Sequence, residues 1–393
     1  MSLDFTTWKN IDSLPKQNCF GCAVCADICP EKCIVMTHDF EGFPYPQIDD
    51  KCCIACGKCL EACPALNTAQ RQGAITPPPF FAGYTKDEDL RFQSSSGGIF
   101  SLIADNILAQ QGTVYGATYN IVEMAVVHAR ASAQDGLAAM RKSKYVQSDT
   151  RDIFSLVKKD LRAGLKVLFT GTPCQVEGLR LYLGESYENL FTCDFICHGI
   201  PSPGLFTRHF KNIEKRGDAP ITDIDFRTKE KGWGSFLNFY LKVATEKKRH
   251  LTYAPLDAFY ALFLANLILR PVCYQCPYAN LDRKSDITIG DFWGVEKSHP
   301  ELYDGKGTSL ILVNTVKGRK MIHSLAGHLT IKPVENLATL PPNLQEPTGC
   351  PNIREQFFRH IIRLEEWPKG QLQAHLLAIS HLINNKLKAL LRN

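Results

Sequence analysis

With 393 residues and a formal charge of only +5, the chain is too long for one small domain, and its positive residues form no basic run of the kind that would point to nucleic acid. Hydrophobic residues at 45% and charged residues at 22% exclude a disordered chain and predict a sizeable core shared by two or three domains. The first ten residues contain no apolar stretch of signal-peptide length, and the longest apolar run, Leu256 to Leu269, is broken by Asp257 and Asn266. Both observations predict a cytoplasmic protein that is not integral to a membrane, with that run as a buried helix.

Ten of the sixteen cysteines lie before residue 64, a density that in a reducing cytoplasm favours metal ligation over disulfides. Two copies of one pattern account for most of them: Cys19-x2-Cys22-x2-Cys25-x3-Cys29-Pro30 and Cys53-x2-Cys56-x2-Cys59-x3-Cys63-Pro64. Four thiolates must converge on each cubane, and in this bacterial ferredoxin spacing the fourth cysteine of each run crosses to the other cluster. Cys19, Cys22, Cys25 and Cys63 are therefore assigned to one 4Fe-4S cluster, and Cys53, Cys56, Cys59 and Cys29 to a second. Zinc sites rarely space their cysteines this way. Cys33 and Cys52 fall outside the pattern and read as small buried apolar residues. Between the motifs, Cys33 to His38 and Tyr45 to Asp49 read as two short strands around Gly42, which completes an α+β ferredoxin-like head over residues 1–70.

Residues 71–80, with Pro77, Pro78 and Pro79, read as a stiff linker. A strand over Phe80 to Tyr84 follows, and then Ser94, Ser95, Ser96, Gly97 and Gly98 lead into a helix from Ile99 to Leu108. Free backbone N–H groups at such a helix start suit an anion, and a plain serine N-cap would look the same. The strand Lys166 to Thr170 runs into Gly171, Thr172, Pro173 and Cys174 before a helix over Val176 to Leu183, an order that puts a ligand loop at the C-terminal end of a strand. A third strand, Leu190 to Ile196, delivers Cys197, and Asp286 to Gly294 is a strand entering an aromatic glycine turn. Cys273 and Cys276 stand at ligand spacing. With Cys174, Cys193 and Cys197 at strand ends, these cysteines are open to two readings: a third cluster, or reduced structural thiols. No G-x-G-x-x-G follows a strand, so a nicotinamide dinucleotide is not signalled.

Several motifs recur in order: Ser94 to Gly98, Ser143 to Ser148, Gly171 to Arg180, Cys197 to Ser202, Cys273-x2-Cys276, and Arg283-x2-Asp286 continuing to Gly294. On these the chain from about Phe80 to Gly349 resembles the beta-subunit family of coenzyme F-420 hydrogenases and dehydrogenases. The resemblance implies an α/β flavin-binding domain in two parts, 81–165 and 166–349, with a helical tail over 350–393. It implies FAD, bound without a covalent link, with Ser94, Ser95, Ser96, Gly97, Gly98, Gly171 and Thr172 in its loops and Lys144, Tyr145 and Gln147 in its pocket. It further implies Cys174, Cys197, Cys273 and Cys276 as ligands of a third 4Fe-4S cluster.

The function so implied is an oxidoreductase passing electrons between the clusters and FAD, with a hydride exchanged between flavin and an unidentified small molecule or a deazaflavin coenzyme; no catalytic residue is assigned. A soluble ferredoxin or a partner redox subunit would serve the head, and the rival reading is a non-catalytic electron-transfer subunit of a larger complex. Lys229, Lys231, Lys247, Lys248 and Arg249 are available to an acidic substrate tail, or form an ordinary solvated face. Gln371 to Asn393 carries Leu372, Leu376, Ile379, Ile383 and Leu390 at helical spacing. Such a helix covers the chain's own core, a subunit of a homo-oligomer, or an anionic membrane surface.

Anaerobically purified full-length chain should carry about eight iron atoms on the head cysteines and up to about twelve in all. Cys56→Ala should remove up to about four of them and leave the flavin content unchanged; elemental analysis that finds zinc in place of iron would refute the two-cluster assignment.

Overall fold

The computed structural model describes residues 6–67, 77–233, 239–335, 340–361 and 374–382. It opens on the head, where β1 (Ile34–His38) and β2 (Pro44–Ile48) pair antiparallel with Ile34 opposite Ile48. Two short helices, Val24–Ile28 and Lys58–Glu61, carry the middle of each cysteine run. So few residues cannot enclose a large apolar core. The head's buried cluster accordingly mixes Ile11, Leu14, Phe43, Tyr45, Leu60 and Leu66 with Cys19, Cys25, Cys29, Cys33, Cys59 and Cys63.

The rest is built on an eight-stranded mixed sheet. Its strands are β3 (Phe80–Thr85), β4 (Thr113–Asn120), β5 (Ala125–Ala131), β6 (Val167–Gly171), β7 (Leu190–Phe195), β11 (Ile287–Asp291), β12 (Ser309–Val313) and β13 (Leu329–Pro333), in the spatial order β13-β3-β12-β11-β7-β6-β4-β5. β11, β7, β6 and β4 run parallel at the centre, and antiparallel strands flank them on both sides. The central strands read as near-continuous apolar runs because helices cover both faces. Helix Ile99–Ala109 packs with Leu168, Ile287 and Ile311 on one face. Helices Ile153–Arg162 and Pro173–Leu183 pack with Tyr115, Val167 and Phe169 on the other, together with Cys22 and Val24 of the head.

Asp286 fixes the register at the centre of the sheet. One carboxylate oxygen accepts from the backbone and hydroxyl of Thr192 at 2.8 and 3.0 Å, and the other accepts from Thr315 at 2.6 Å. β7, β11 and the start of helix Val316–Ser324 are thereby clipped together.

A second, three-stranded antiparallel sheet is formed by β8 (Ile221–Asp225), β9 (Tyr240–Thr245) and β10 (Arg249–Tyr253). Helices Pro203–Gly217 and Ala258–Leu264 pack on it with Phe206, Phe210, Phe226 and Phe259. The expected helix over Leu256 to Leu269 is shorter than its apolar run. Pro255 lies in a 3-10 turn, Asp257 caps the helix by accepting from Tyr260 N at 2.9 Å, and Asn266 takes a left-handed φ of 61° that ends it. Leu256 is left exposed.

Of the tail, residues 374–382 form a helix whose Ala374 and Ala378 are buried against Phe259 and its neighbours, with Leu377 and Leu382 partly covered. His375 shares a 2.8 Å hydrogen bond with the carbonyl of Pro255. The helix thus lies on the chain's own core, but rotated from the expected stripe, since Leu376 is exposed; Leu372, Ile383 and Leu390 lie outside the described residues. No helix among the described residues is long and apolar enough to cross a membrane. Ending the chain at residue 373 should lower the melting temperature by several degrees, since burying apolar surface stabilises by roughly 1.5–3 kcal/mol per leucine-sized side chain. Sedimentation should show an unchanged oligomeric state; a smaller particle of equal stability would assign the helix to a subunit contact.

Candidate functional site

The first cysteine set is drawn together inside the head. Burial pushes the Cys22 thiol well up, and the neighbouring thiols of Cys63, Cys174 and Cys19 add to it. Cys25 is raised in the same way, by burial and then by Cys22, Cys19 and Cys63. Thiols held this close and dry resist ionisation on their own, which is the condition that a bound cationic cluster relieves. The second set is more open. A small cavity is lined by Cys29, Cys33, Cys53, Cys56 and Cys59, and Cys56 is exposed. Cys33 is buried as expected, with its sulfur 3.3 Å from that of Cys29, whereas Cys52 is only half-buried.

The head is bound tightly to the sheet domain, and the contacts centre on the first cysteine loop. Gln147 donates its amide to the carbonyls of Phe20 and Gly21 at 3.0 and 2.8 Å, and Thr150 donates to that of Cys22 at 2.8 Å. Arg270 donates to the carbonyls of Cys19 and Pro44 at 2.7 and 2.8 Å and to the Gln147 side chain at 3.0 Å. On the far side Glu41 accepts a bidentate pair from Arg354 at 3.1 and 2.5 Å, and both groups are buried. Gly178 faces the loop from helix Pro173–Leu183: a Cβ there would stand 3.6 Å from Cys22 Sγ and 3.7 Å from Val24 Cβ.

A third thiol set lies directly beyond. Parallel β6 and β7 end at one level, and the loops leaving them carry Cys174 and Cys197, while a 3-10 turn over Pro271–Gln275 brings Cys273 and leads to Cys276. Thr172 caps the helix that holds Cys174 in a reciprocal capping box with Gln175, and its hydroxyl lies 3.1 Å from Cys174 Sγ. Burial raises Cys174 and Cys273 to about 12, with further increments from Cys276 in both and from Cys174 in the latter. Cys197 is raised by burial and then by Cys273, Cys276 and Cys174. Cys193 does not join them. It packs in the core under helix Ile99–Ala109, and its neighbouring charges are Asp194 and Asp286. Cys193 lies inside β7, whereas Cys197 lies past that strand's last residue and Cys174 sits in the first turn of the helix after β6. Among the described residues no three His, Cys, Asp or Glu side chains could share a single metal ion.

Cys174 and Cys197 stand on one wall of a cavity of about 790 Å³ that opens at the C-terminal ends of β6, β7 and β11. Ser94, Ser95, Ser96 and Gly98 line it at the start of helix Ile99–Ala109, as do Lys144, Tyr145, Gln147, Gly171 and Thr172. The backbone and hydroxyl of Ser143 donate to Ser95 Oγ at 2.8 and 3.1 Å, which ties the two loops together. Gly97 lies behind the wall, where a Cβ would meet the carbonyl of Gly83 at 2.5 Å. Gly97→Asp would therefore disrupt the loop's seat on β3 before it placed a charge in the cavity.

Other expected pocket residues have different partners. Lys144 turns its ammonium to the carbonyls of Met140, Arg141 and Lys142, and burial brings its pKa down to about 7. Lys229 is buried on the carbonyls of Arg91 and Ser96, at 2.7 and 2.6 Å, and so cannot belong to a basic mouth. Lys231, Lys247, Lys248 and Arg249 remain exposed.

Two features were missed in the sequence. Arg227 is buried on the cavity wall, with Nη1 3.1 Å from the Tyr145 hydroxyl and 2.7 Å from Asp291, and with its guanidinium over the rings of Phe239 and Trp293. Trp233 and Trp293 stack at 4.6 Å, and the Trp233 indole donates to Ser95 O at 3.0 Å. His198, also on the cavity lining, shares a 2.6 Å hydrogen bond with Asn266, and burial lowers its pKa.

Residues 164–336 match the C-terminal family model of coenzyme F420 hydrogenase/dehydrogenase beta subunits, and residues 18–67 match a 4Fe-4S dicluster domain. Among curated proteins, the coenzyme F420-dependent sulfite reductase of Methanocaldococcus jannaschii is 28% identical over 181 residues, 44% of this chain and 26% of that one. Subunit I 2 of the NADH-quinone oxidoreductase of Geobacter metallireducens is 43% identical over 54 residues, 12% of this chain and 41% of that one. The chain thus spans well under half the length of either relative. Among solved structures, a chain from the xenon-derivatised F420-reducing [NiFe] hydrogenase complex of Methanosarcina barkeri is 17% identical with a TM-score of 0.44, covering 77% of this chain and 94% of that one.

The space around Gly178 makes the head contact testable. Gly178→Ala should be tolerated because its Cβ would meet only ordinary contact distances, whereas Gly178→Leu should push the first cysteine loop away and lower the iron content, as overpacked sites force their neighbours to move. Equal iron in the two variants would show that the loop does not depend on this seat.

Proposed function

We propose that this chain, which belongs to the coenzyme F420 hydrogenase/dehydrogenase beta-subunit family over residues 164–336 and is a 4Fe-4S dicluster domain over residues 18–67, is an iron-sulfur flavoprotein oxidoreductase. It carries single electrons between the outer cysteines of its head and FAD in the cavity. The observation that carries this reading is the order of the thiol sets in space. Exposed Cys56 lies at one end, Cys22 packs beside the helix that carries Cys174 in the middle, and Cys174 and Cys197 line the cavity at the other end.

Cubane clusters would supply one-electron steps, and a flavin would supply the junction between one- and two-electron chemistry. The donor sets fit these groups. Cys53, Cys56, Cys59 and Cys29 would hold the outer cluster, Cys19, Cys22, Cys25 and Cys63 the inner one, and Cys174, Cys197, Cys273 and Cys276 a third. Ser94 to Gly98, together with Gly171 and Thr172, would hold the FAD phosphates, since the start of helix Ile99–Ala109 offers N–H groups to an anion. Tyr145 and Trp293 present aromatic faces to a planar ring. Arg227 is better placed than Lys144 to balance negative charge on that ring, because Lys144 spends its donors on backbone carbonyls. His198 and Asn266 supply polar groups near the end where a small substrate or deazaflavin coenzyme would enter. A soluble ferredoxin or a partner redox subunit would meet the exposed face of the head.

Cys276→Ser should reduce the iron content from about twelve to about eight atoms per chain while the flavin stays bound. Stopped-flow mixing with reduced ferredoxin should then no longer bleach the flavin absorbance. A variant that keeps all its iron and bleaches at the original rate would remove the third set from the path.

A further inference from the structure

Arg270 is fully buried, yet among the described residues it forms no ion pair. Its acceptors are the carbonyls of Cys19 and Pro44 and the amide oxygen of Gln147. The guanidinium also lies over the Tyr45 ring, 4.4 Å from its centroid. A charge taken out of water without a counter-charge is expensive, and a neutral residue of similar length could pack the same space. Glu41, a carboxylate that feels the Arg270 charge, is already committed to Arg354.

Its backbone is placed as tellingly as its side chain. Arg270 N donates to Ile200 O at 2.9 Å, three residues after Cys197, and Cys273 N donates to Arg270 O at 2.9 Å. One residue therefore ties the Cys19 loop, the Cys197 loop and the Cys273 turn together.

We propose that Arg270 is a positioning residue for electron transfer: its buried charge favours the reduced state at the thiol sets on either side of it, and its hydrogen bonds fix the spacing of their loops. The inference rests on the reading of Cys174, Cys197, Cys273 and Cys276 as iron ligands. A cluster held by these cysteines would take one electron from a reduced ferredoxin-class donor and so add one negative charge beside Arg270, with no atom or proton moved. A fixed positive charge in a low-dielectric interior lowers the energy of that state, and net charge is one of the levers on cluster potential. Such a cation makes electrons leave the outer set and collect next to the cavity.

The test is an EPR-monitored redox titration of the anaerobically purified full chain, comparing Arg270→Gln, Arg270→Lys and Gln147→Glu, with iron content measured for each. Arg270→Gln should lower the midpoint potentials of the inner head set and the Cys174 set by a tenfold or larger change in reduction equilibrium, about 59 mV for a one-electron couple. The outer Cys53 set should move less. Arg270→Lys should restore most of the shift, which a purely structural loss would not do. Gln147→Glu keeps the guanidinium and sets a carboxylate beside it, so it should lower the same two potentials. Full iron with unmoved potentials in Arg270→Gln overturns the inference. If that variant loses its iron, unmoved potentials in Gln147→Glu overturn it instead. Wild-type chain with about eight iron atoms and not about twelve would overturn the third-cluster reading, and the inference would then be decided on the inner head set alone.

Discussion

The seat of the first cysteine loop on helix Pro173–Leu183 is the contact on which the rest of the arrangement depends. That helix carries Cys174 in its first turn, presents Gly178 to Cys22, and is held at its N-terminus by the Thr172 and Gln175 capping box. A side chain larger than alanine at residue 178 would hold the loop off and open a gap between the two thiol sets. Because the same helix connects β6 to β7, the loop is referenced to the sheet itself and not to a mobile connection. The head contributes little apolar bulk of its own, since cysteines make up much of its buried cluster. It is stabilised from within by what those cysteines bind and from without by Gln147, Thr150 and Arg270.

Much of the fold was legible because the signals were local. The strands around Gly42, the strand at Phe80, the helix at Ile99 and the strand at Gly171 stand within a residue or two of their expected positions, and the helix after Gly171 starts three residues early, at Pro173. Each is specified by periodicity and by a Gly, Pro or Ser at its end. The helix expected over Leu256 to Leu269 was misjudged because apolar content was read without its caps. Asp257 starts that helix late and Asn266 ends it early, and the apolar residues after it are buried through tertiary packing. The second sheet, β8 to β10, gave no comparable signal, since its partners pair through register and not through a turn motif.

The site was legible where chemistry demands a fixed spacing and obscure where it depends on direction. Cysteine spacing picked out the two head runs and the Cys273–Cys276 pair, but that Cys174 and not Cys193 neighbours that pair depends on where each stands in the fold, one in the first turn of a helix and the other inside β7. Gln147 and Lys144 sit in one motif with Tyr145, yet the structure gives them separate tasks: Gln147 grips the head, Lys144 caps its own turn, and Tyr145 faces Arg227. Neighbours in sequence point in different directions, so a motif marks a place more reliably than it marks a role. Arg227 had no motif at all. Its importance comes from Asp291, which lies 64 residues away, and only the folded chain brings them together.

The uneven exposure of the head cysteines has a chemical corollary. Cys56 is open to solvent, whereas Cys22, Cys25 and Cys63 are buried, and Cys174, Cys197 and Cys276 are half-buried. Oxidative attack on cysteine sulfur follows thiolate character and access. Damage therefore enters from one end, and air takes the outer set first. Once that set is lost, the inner head set loses its surface contact while its own cysteines are still buried. A sample aged in air would keep its colour longer than its ability to accept electrons from outside, because the part that fails first is the part that faces the donor.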